Sequence, residues 1–463
     1  MNINWNDSFQ VRNIIKDYSL RLLAINSING DSYGIQKVFN ELEIICRELN
    51  FCYDRQADGL VMRISNNPLN FHRSCKLALV CHIDTVDYDK SKWQHNPLGE
   101  ILNSRIYGRG IIDDKGALVL ALLSAKTYEH VFNKPWIIIV GSSEEGIWID
   151  MEKYNLENHP IPDYATTIDG DGVQFGSRGY ADIEFNFKSQ ICKDTFIQNI
   201  SIPGGATNIV PGFATATLSD GNIISKIGKS CHSSIPHNGK NALNLLVQEL
   251  YEIFKNQFPT FLQLMNDIQD CTLSNFEVMD TINQINGISV LPTSVCPTTC
   301  KIENGLLTVN LNFRISICTK ESDFLDLISN LSNRYNANIQ IIKLTMPNFI
   351  NPDSPIIESQ IKAYEEVLGK KGIATIAPGI GYNAAFKSKF GCNIFGPRFA
   401  VSDDEEDLCH CNDESRSIDD LLKFYKMLCI FMKDFLTWIK LSSHWKRAFS
   451  IIFWYCTLHN FVL

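Results

Sequence analysis

Two short motifs bring together residue types that bind metals and activate water. His82 and Asp84 follow the apolar run 77–81, and Asp113 and Asp114 lie between a glycine turn and an apolar segment. A two-residue spacing at the end of a strand puts His82 and Asp84 on one face, where the carboxylate can fix the tautomer of a metal-binding histidine. One carboxylate of the acidic pair could bridge two cations. Taken alone, the pair is equally compatible with charges that stabilise a helix N-terminus.

Three more acidic residues follow predicted strands. Glu144 and Glu145 come after the apolar run 136–140, and Asp169 comes after the run 165–168. Sites in open α/β sheets gather at the carboxyl ends of the strands. Two adjacent carboxylates repel each other unless a cation neutralises them, so one could bind a metal while the other acts as a general base on water. A solvated loop pair is the alternative for Glu144 and Glu145.

Two histidines lie in polar segments that predict loops. The neighbours of His232 specify no role for it, and His410 is flanked by Cys409 and Cys411. No second cysteine pair has the C-x₂-C spacing of a structural zinc site. If these residues are extended, both cysteines point away from His410, so we expect them to serve only for packing. The sequence also lacks a G-x-S-x-G motif and a glycine-rich phosphate loop.

The elements around these residues predict an α/β catalytic domain with a mostly parallel sheet flanked by helices. The apolar runs before His82, Glu144 and Asp169 have the composition of fully buried strands, and residues 117–128 predict a helix between two of them. This alternation of strand and helix is typical of a parallel layer covered on both faces.

The pattern changes after residue 179. Residues 307–317 alternate between apolar and polar side chains, and residues 242–258 predict an amphipathic helix. This combination predicts an α+β domain whose antiparallel sheet has one solvated face. The predicted domains are the first part of the catalytic domain (1–179), an inserted α+β lid domain with an antiparallel sheet (180–345), the second part of the catalytic domain (346–440) and an apolar C-terminal tail of unknown role (441–463).

Composition limits the classes of function. The chain has 463 residues, is 45% hydrophobic and 20% charged, and carries a formal net charge of −9. Acidity without a basic stripe argues against a nucleic-acid partner. The 15 cysteines follow no framework spacing, and the first residues lack the pattern of a secretory signal, so a reducing cytoplasm is expected. The apolar segment 448–463 is shorter than the about 20 residues that span a bilayer, so stable membrane association is not expected. A packed or disordered tail is the expectation, and a weak membrane anchor is the alternative.

Together and in this order, the motifs resemble the family of di-metal aminoacylases, carboxypeptidases and dipeptidases that includes acetylornithine deacetylase and succinyl-diaminopimelate desuccinylase. The resemblance covers about residues 10–435, and the PepV-like dipeptidases are the most similar subgroup. The matching segments are His82-Ile-Asp84-Thr-Val, Gly108-Arg109-Gly110-Ile-Ile-Asp113-Asp114-Lys115-Gly116, Glu144-Glu145-Gly146, Asp169-Gly170, His232-x-x-x-Pro236-x-x-Gly239-x-Asn241-Ala242 and His410-x-x-Asp413-Glu414.

The resemblance implies two divalent metal ions bridged by Asp113. His82 and Asp169 would complete one metal site, and Glu145 and His410 would complete the other. Zinc is the expected metal, and manganese or cobalt would also suit mixed histidine and carboxylate ligands.

The resemblance also implies roles around the metals. Glu144 would be the general base, and Asp84 would orient His82. A cis peptide bond is common in this family after the bridging acid, here Asp113–Asp114. In the PepV-like enzymes a long lid replaces a partner subunit, so a monomer is expected.

The lid domain would bind the substrate. Arg314 could hold a substrate carboxylate through two hydrogen bonds, and His232 and Asn208 could donate to the oxyanion when the domains close. A solvated position on the strand is the alternative for Arg314. The glycine-rich segment near the substrate departs from the PepV-like pattern, because Gly381 and Ala384 stand where threonine and arginine are usual. This departure leaves the substrate open.

The resulting interpretation is a cytoplasmic metallopeptidase that hydrolyses dipeptides, with a small peptide as its partner and with no nucleic acid. A deacylase of N-acyl amino acids that uses the same site is the alternative enzyme. A relative without catalytic activity that serves as a binding module is an alternative from another class.

Overall fold

A computed structural model of the chain describes residues 7–190, 196–268, 284–398 and 408–437. Its helices are α1 (Ser8–Leu23), α2 (Ser32–Glu48), α3 (Lys115–Tyr128), α4 (Ile149–Leu156), α5 (Ala242–Glu249), α6 (Tyr251–Gln257), α7 (Pro259–Asp267), α8 (Glu321–Tyr335), α9 (Pro355–Leu368), α10 (Tyr382–Ala385) and α11 (Ile418–Thr437). Its strands are β1 (Cys52–Gln56), β2 (Val61–Ser65), β3 (Leu77–His82), β4 (Glu100–Leu102), β5 (Arg105–Tyr107), β6 (Trp136–Gly141), β7 (Tyr164–Thr167), β8 (Asp171–Ser177), β9 (Gly179–Lys188), β10 (Ile197–Ser201), β11 (Phe213–Leu218), β12 (Ile223–Ile227), β13 (Gln284–Ile285), β14 (Ile288–Ser289), β15 (Ser294–Glu303), β16 (Leu306–Ile315), β17 (Asn338–Thr345), β18 (Asn348–Phe349), β19 (Thr375–Ala377), β20 (Cys392–Pro397) and β21 (Ser415–Ser417).

A large sheet with the order β1-β2-β6-β3-β7-β20-β8-β18, with β19 beside β8, forms the centre of the first lobe. Strands β6, β3, β7 and β20 are parallel to one another. The strands on either side of them, β2 and β8, pair with this group in the antiparallel direction. The α/β fold is therefore confirmed, and the sheet as a whole is mixed.

The strands of this sheet are apolar because helices cover both of their faces. Alternate residues of β3 enter different apolar clusters: Leu77 and Leu79 pack with α1, α2, α3, α9 and α11, whereas Ala78 and Val80 pack on the opposite side with α4 and α10. Every residue of β3 and β6 is buried. The carboxyl ends of these strands are therefore held by a rigid core.

A second lobe is built on the four-stranded antiparallel sheet β15-β16-β9-β17. This sheet, the smaller sheet β10-β11-β12 and helices α5–α8 share a separate apolar cluster. The two segments that connect this lobe to the first lobe lie side by side, because Ser177 at the end of β8 pairs with Asn348 of β18. We therefore propose that residues 180–345 form an inserted domain, with the limits that the sequence predicts.

Two local predictions are wrong. The segment 242–258 forms two helices that are interrupted at Leu250. Strand β16 does not have a solvated face, because it is buried on both sides after its first residue. Polar side chains of β16 bond to polar groups of the neighbouring strand: Asn310 and Asn312 donate to the Asp182 carboxylate of β9 at 3.1 and 2.9 Å.

None of the helices in the described ranges combines the length and the apolar character that a membrane span requires. The predicted tail at 441–463 lies outside the described residues.

Candidate active site

The predicted site residues of the first lobe meet at one edge of the large sheet. His82 ends β3, Glu144 and Glu145 follow β6, and Asp169 follows β7. These three strands are adjacent and parallel, so their carboxyl ends open at the same place. Asp113 comes to this edge from the turn before α3.

The Asp113 carboxylate lies at the centre of the group. Its Oδ1 is 2.7 Å from His82 Nε2, and its Oδ2 is 3.1 Å from His410 Nε2. Although burial opposes ionisation, the Arg398 cation and hydrogen bonds from His410 and His82 hold the pKa of Asp113 well below its ordinary value. The peptide bond Asp113–Asp114 is cis. The two oxygens of Asp113 thus face two different imidazoles.

Asp84 fixes both His82 and the loop after β6. The Nδ1 of His82 lies 3.0 Å from the Asp84 carbonyl oxygen and 3.4 Å from its carboxylate. The same carboxylate accepts hydrogen bonds from the backbone N–H groups of Glu144 and Glu145, at 3.1 and 3.0 Å, and from the Asn29 amide at 2.9 Å. A single buried anion therefore sets the position of one imidazole and two acidic side chains.

His410 reaches the site from the far end of the chain. Its Nε2 is 2.8 Å from Glu145 Oε1, in addition to its contact with Asp113. The loop that carries His410 is held by the buried ion pair Arg109–Glu414, at 2.7 Å. Arg109 also donates to the His410 carbonyl at 3.3 Å. Arg109 and Glu414 belong to matched sequence motifs, but the sequence alone assigned them no role.

The Glu144 side chain lies beside Gly381, which has no side chain of its own. A Cβ atom at Gly381 would lie only 2.6 Å from Glu144 Oε1, so the threonine usual at this position in PepV-like enzymes would require a shift. Burial raises the pKa of Glu144 well above its ordinary value; His82 opposes this shift, and the neighbouring carboxylates, Glu145 first, add to it.

The donor groups of the first lobe fit divalent metals. Oxygen and nitrogen atoms of His82, Asp113 and Asp169 lie within 4.8 Å of one another. The guanidinium of Arg398 contacts both Asp113 and Asp169, the latter at 2.8 Å, so a positive charge already lies between these two carboxylates. Imidazole and carboxylate ligands suit zinc, manganese and cobalt. The sequence offered no signal for Arg398, whose position depends on the end of β20.

The second lobe faces this group with a buried cation. Arg314 on β16 is 3% exposed. It donates to the Ser233 hydroxyl at 2.9 Å and to the Asn312 amide oxygen at 3.2 Å, and it lies 4.8 Å over the Tyr180 ring. Burial lowers the pKa of Arg314 to about 10. Within the described ranges, no carboxylate lies at ion-pair distance from its guanidinium.

His232 and Asn208 occupy neighbouring segments of the same lobe. The Nδ1 of His232 lies 2.6 Å from the Ser234 hydroxyl. Burial lowers the pKa of His232 to about 4, and the nearby cations Arg314 and His410 act in the same direction. The Asn208 carbonyl accepts a hydrogen bond from the Ser233 N–H at 2.9 Å, while its side chain is exposed.

Two cations that the sequence did not single out lie at the junction of the lobes. Arg178, between β8 and β9, donates to the Pro292 carbonyl at 3.1 Å, and burial lowers its pKa to about 10. Lys343 of β17 lies 4.8 Å over the Trp148 ring and 5.3 Å over the Tyr180 ring. The predicted domain boundary at 179/180 was the only sequence signal near Arg178.

Comparisons with known proteins agree with this geometry. The model of Peptidase family M20/M25/M40 matches residues 78–434. An uncharacterized metallohydrolase of Methanocaldococcus jannaschii is 28% identical over 86% of this chain and 89% of its own length. The Beta-Ala-Xaa dipeptidase of Lactobacillus delbrueckii subsp. lactis is 23% identical over 75% of this chain and 79% of its own.

Solved structures share the fold. The di-peptidase Dug1p of Saccharomyces cerevisiae superposes with a TM-score of 0.61 at 12% identity, over 95% of this chain and 100% of that one. Human carnosine dipeptidase 1 gives a TM-score of 0.57 at 14% identity, over 94% and 99% of the two chains. At these identities the likeness extends to the architecture of both lobes.

Proposed function

We propose that this chain, a metallopeptidase that belongs to Peptidase family M20/M25/M40, hydrolyses dipeptides with two divalent metal ions. The observation that carries this proposal is the Asp113 carboxylate, whose two oxygens face His82 and His410 separately. A carboxylate in this position can bridge two cations. Relatives named as dipeptidases support the substrate class.

We propose that His82 and Asp169 complete one metal site with Asp113, and that Glu145 and His410 complete the other. Zinc is the proposed metal, and manganese and cobalt are the candidates that would replace it. When bound, such ions polarise a carbonyl group and increase the acidity of a nearby water. Glu144, beside this group of ligands, takes the proton from the attacking water and delivers it to the leaving amine.

The second lobe is proposed to hold the substrate. A dipeptide ends in a carboxylate, which would pair with the Arg314 guanidinium through two hydrogen bonds. His232 stays neutral at neutral pH, because its pKa is about 4, so a ring N–H can donate to the developing oxyanion. Asn208 is the proposed second donor. Since one chain supplies both lobes, we also propose that the enzyme acts as a monomer, in the cytoplasm.

A substrate panel tests the proposed function. The chelated protein should be inactive, and added zinc, manganese or cobalt should restore the cleavage of dipeptides. The same panel should include N-acetyl and N-succinyl amino acids and C-terminally amidated dipeptides, with product amine as the readout. Cleavage of the N-acyl amino acids alone would contradict a dipeptidase and identify the deacylase. Absence of turnover together with absence of bound metal would identify a binding module.

A further inference from the structure

Cys409 lies against the same carboxylate oxygen as His410. The Cys409 thiol donates to Asp113 Oδ2 at 3.2 Å, and His410 Nε2 lies 3.1 Å from that atom. The sulfur, the imidazole nitrogen and the carboxylate oxygen all lie within 4.8 Å of one another. Three donors of different chemical type therefore converge on one point beside the Asp113 carboxylate.

The backbone at His410 explains why two consecutive side chains converge. In an extended segment, neighbouring side chains point to opposite faces, and the sequence therefore predicted that Cys409 turns away. The φ angle of His410 is 63°, which is the left-handed region and not the extended one. Because the chain turns here, the side chains of Cys409 and His410 both face Asp113.

The ion pair that anchors this loop also holds the turn. Arg109 donates to the carbonyl oxygens of His410 and Cys411, at 3.3 and 3.2 Å, and its partner Glu414 is fully buried. The position of the sulfur is thus set by the same anchor that sets the imidazole. Cys411, on the other side of His410, is exposed, so the two cysteines have different surroundings.

We propose that Cys409 is a sulfur ligand of the metal site formed by Asp113, Glu145 and His410, an inference that rests on the proposed function. On binding, the S–H bond breaks, a metal–sulfur bond forms and the proton leaves to solvent; no atom changes its oxidation state. Thiolate is a soft ligand that zinc binds readily, whereas manganese prefers oxygen. The sulfur therefore favours zinc over manganese at this site.

The ligand also makes the two metal sites unequal. With Cys409, the proposed site at His410 would have four protein donors, the number that completes a closed tetrahedral zinc site. The site at His82 and Asp169 has three donors with Asp113, which leaves a position open for substrate or water. We infer that the metal at His410 is held tightly and that the metal at His82 exchanges more readily.

Cobalt substitution of three proteins tests this proposal. The chelated wild type, Cys409→Ser and the matched control Cys411→Ser are each loaded with cobalt(II), and the near-ultraviolet sulfur-to-cobalt charge-transfer absorption is recorded. We expect this absorption in the wild type and in Cys411→Ser and its loss in Cys409→Ser. Zinc titrations against a competing chelator should show that Cys409→Ser weakens one of the two zinc sites by about 100-fold or more, whereas the control keeps both affinities.

Each contrary result has a distinct meaning. Charge-transfer absorption that persists in Cys409→Ser, or unchanged zinc affinities in that variant, would overturn the sulfur ligand. Two cobalt ions bound by the wild type without this absorption would also overturn it, because the thiol then stays protonated beside Asp113; the proposed dipeptidase would be unaffected. A wild-type protein that binds no cobalt or zinc would overturn both proposals. Circular dichroism checks that the serine variants are folded.

Discussion

The residues that the two lobes contribute to the candidate site carry opposite charges, which are balanced in different ways. On the first lobe, Asp113 and Asp169 are contacted by the cationic side chain of Arg398. On the second lobe and at the junction of the lobes, Arg314 and Arg178 respectively are bonded to hydroxyl, amide and carbonyl oxygens, all of them neutral. The carboxylates of the first lobe, here called the acidic side, therefore attract cations. Arg314 and Arg178, here called the basic side, retain a positive charge that an anionic ligand can neutralise.

This difference indicates what each lobe contributes to recognition. Buried carboxylates that repel one another are stabilised by cations, which agrees with metal binding by the first lobe. Guanidinium groups held by neutral acceptors keep their charge available, and we propose that the second lobe uses this charge to bind an anionic group of the substrate. A dipeptide bound between these residues would place its peptide bond at the first lobe and its carboxylate at the second lobe.

The largest expected effect comes from removing the proposed base from the acidic side. Glu144→Gln keeps the shape of the side chain but cannot accept a proton. We expect kcat for dipeptide hydrolysis to fall by about 10²–10⁴-fold, while the protein still binds two metal ions. Steady-state kinetics and elemental analysis of the same preparation measure both quantities. Retained turnover would contradict the assignment, and loss of metal would show that Glu144 is a ligand.

Removing the cation from the basic side should affect binding more than turnover. Arg314→Met removes the charge-assisted hydrogen bonds that a substrate carboxylate would receive. We expect KM for dipeptides to rise by about 10–100-fold, with a smaller change in kcat. A C-terminally amidated dipeptide is the control substrate, because it lacks the anion. If the variant loses as much activity on the amide as on the free acid, Arg314 does not bind the carboxylate.

The smallest effect is expected where the two sides touch. Lys343 of the second lobe lies over the Trp148 ring of the first lobe, and the Trp148 indole N–H donates to the Glu144 carbonyl at 2.9 Å. Lys343→Met removes a cation–π contact of about 0.5–1 kcal/mol. We therefore expect a decrease in kcat/KM of about 2–5-fold and unchanged metal content. A loss as large as that of Glu144→Gln would give Lys343 a direct part in the reaction.

Much of the acidic side could be predicted from sequence, because metal chemistry demands particular residue types at strand ends. The structure brings His82, Asp113 and Asp169 into one group, and the α/β layer that holds them has the predicted strands. The predicted direction of the Cys409 side chain was wrong because His410 has a left-handed backbone conformation. Neighbouring side chains therefore do not point to opposite faces here, as they do in an extended chain. Backbone conformation at a single loop position is not encoded in side-chain periodicity.

The basic side could be predicted less well for a physical reason. The alternation in β16 correctly indicates two different faces, but it does not distinguish water from a buried polar network. Asn312 and Asn310 bond to Asp182 instead of to solvent. Arg178 and Lys343 owe their positions to contacts between the lobes, which leave no local pattern in the chain.

The buried ion pair of Arg109 and Glu414 joins two segments of the chain that are made at different times during synthesis. Arg109 is 4% exposed and Glu414 is fully buried, and either charge alone in that position would be strongly destabilising. The ribosome makes the residues around Arg109 long before those around Glu414 and His410. The first lobe therefore remains incomplete until the segment around Glu414 emerges, and a nascent chain that captured metal earlier would lack the proposed ligand His410.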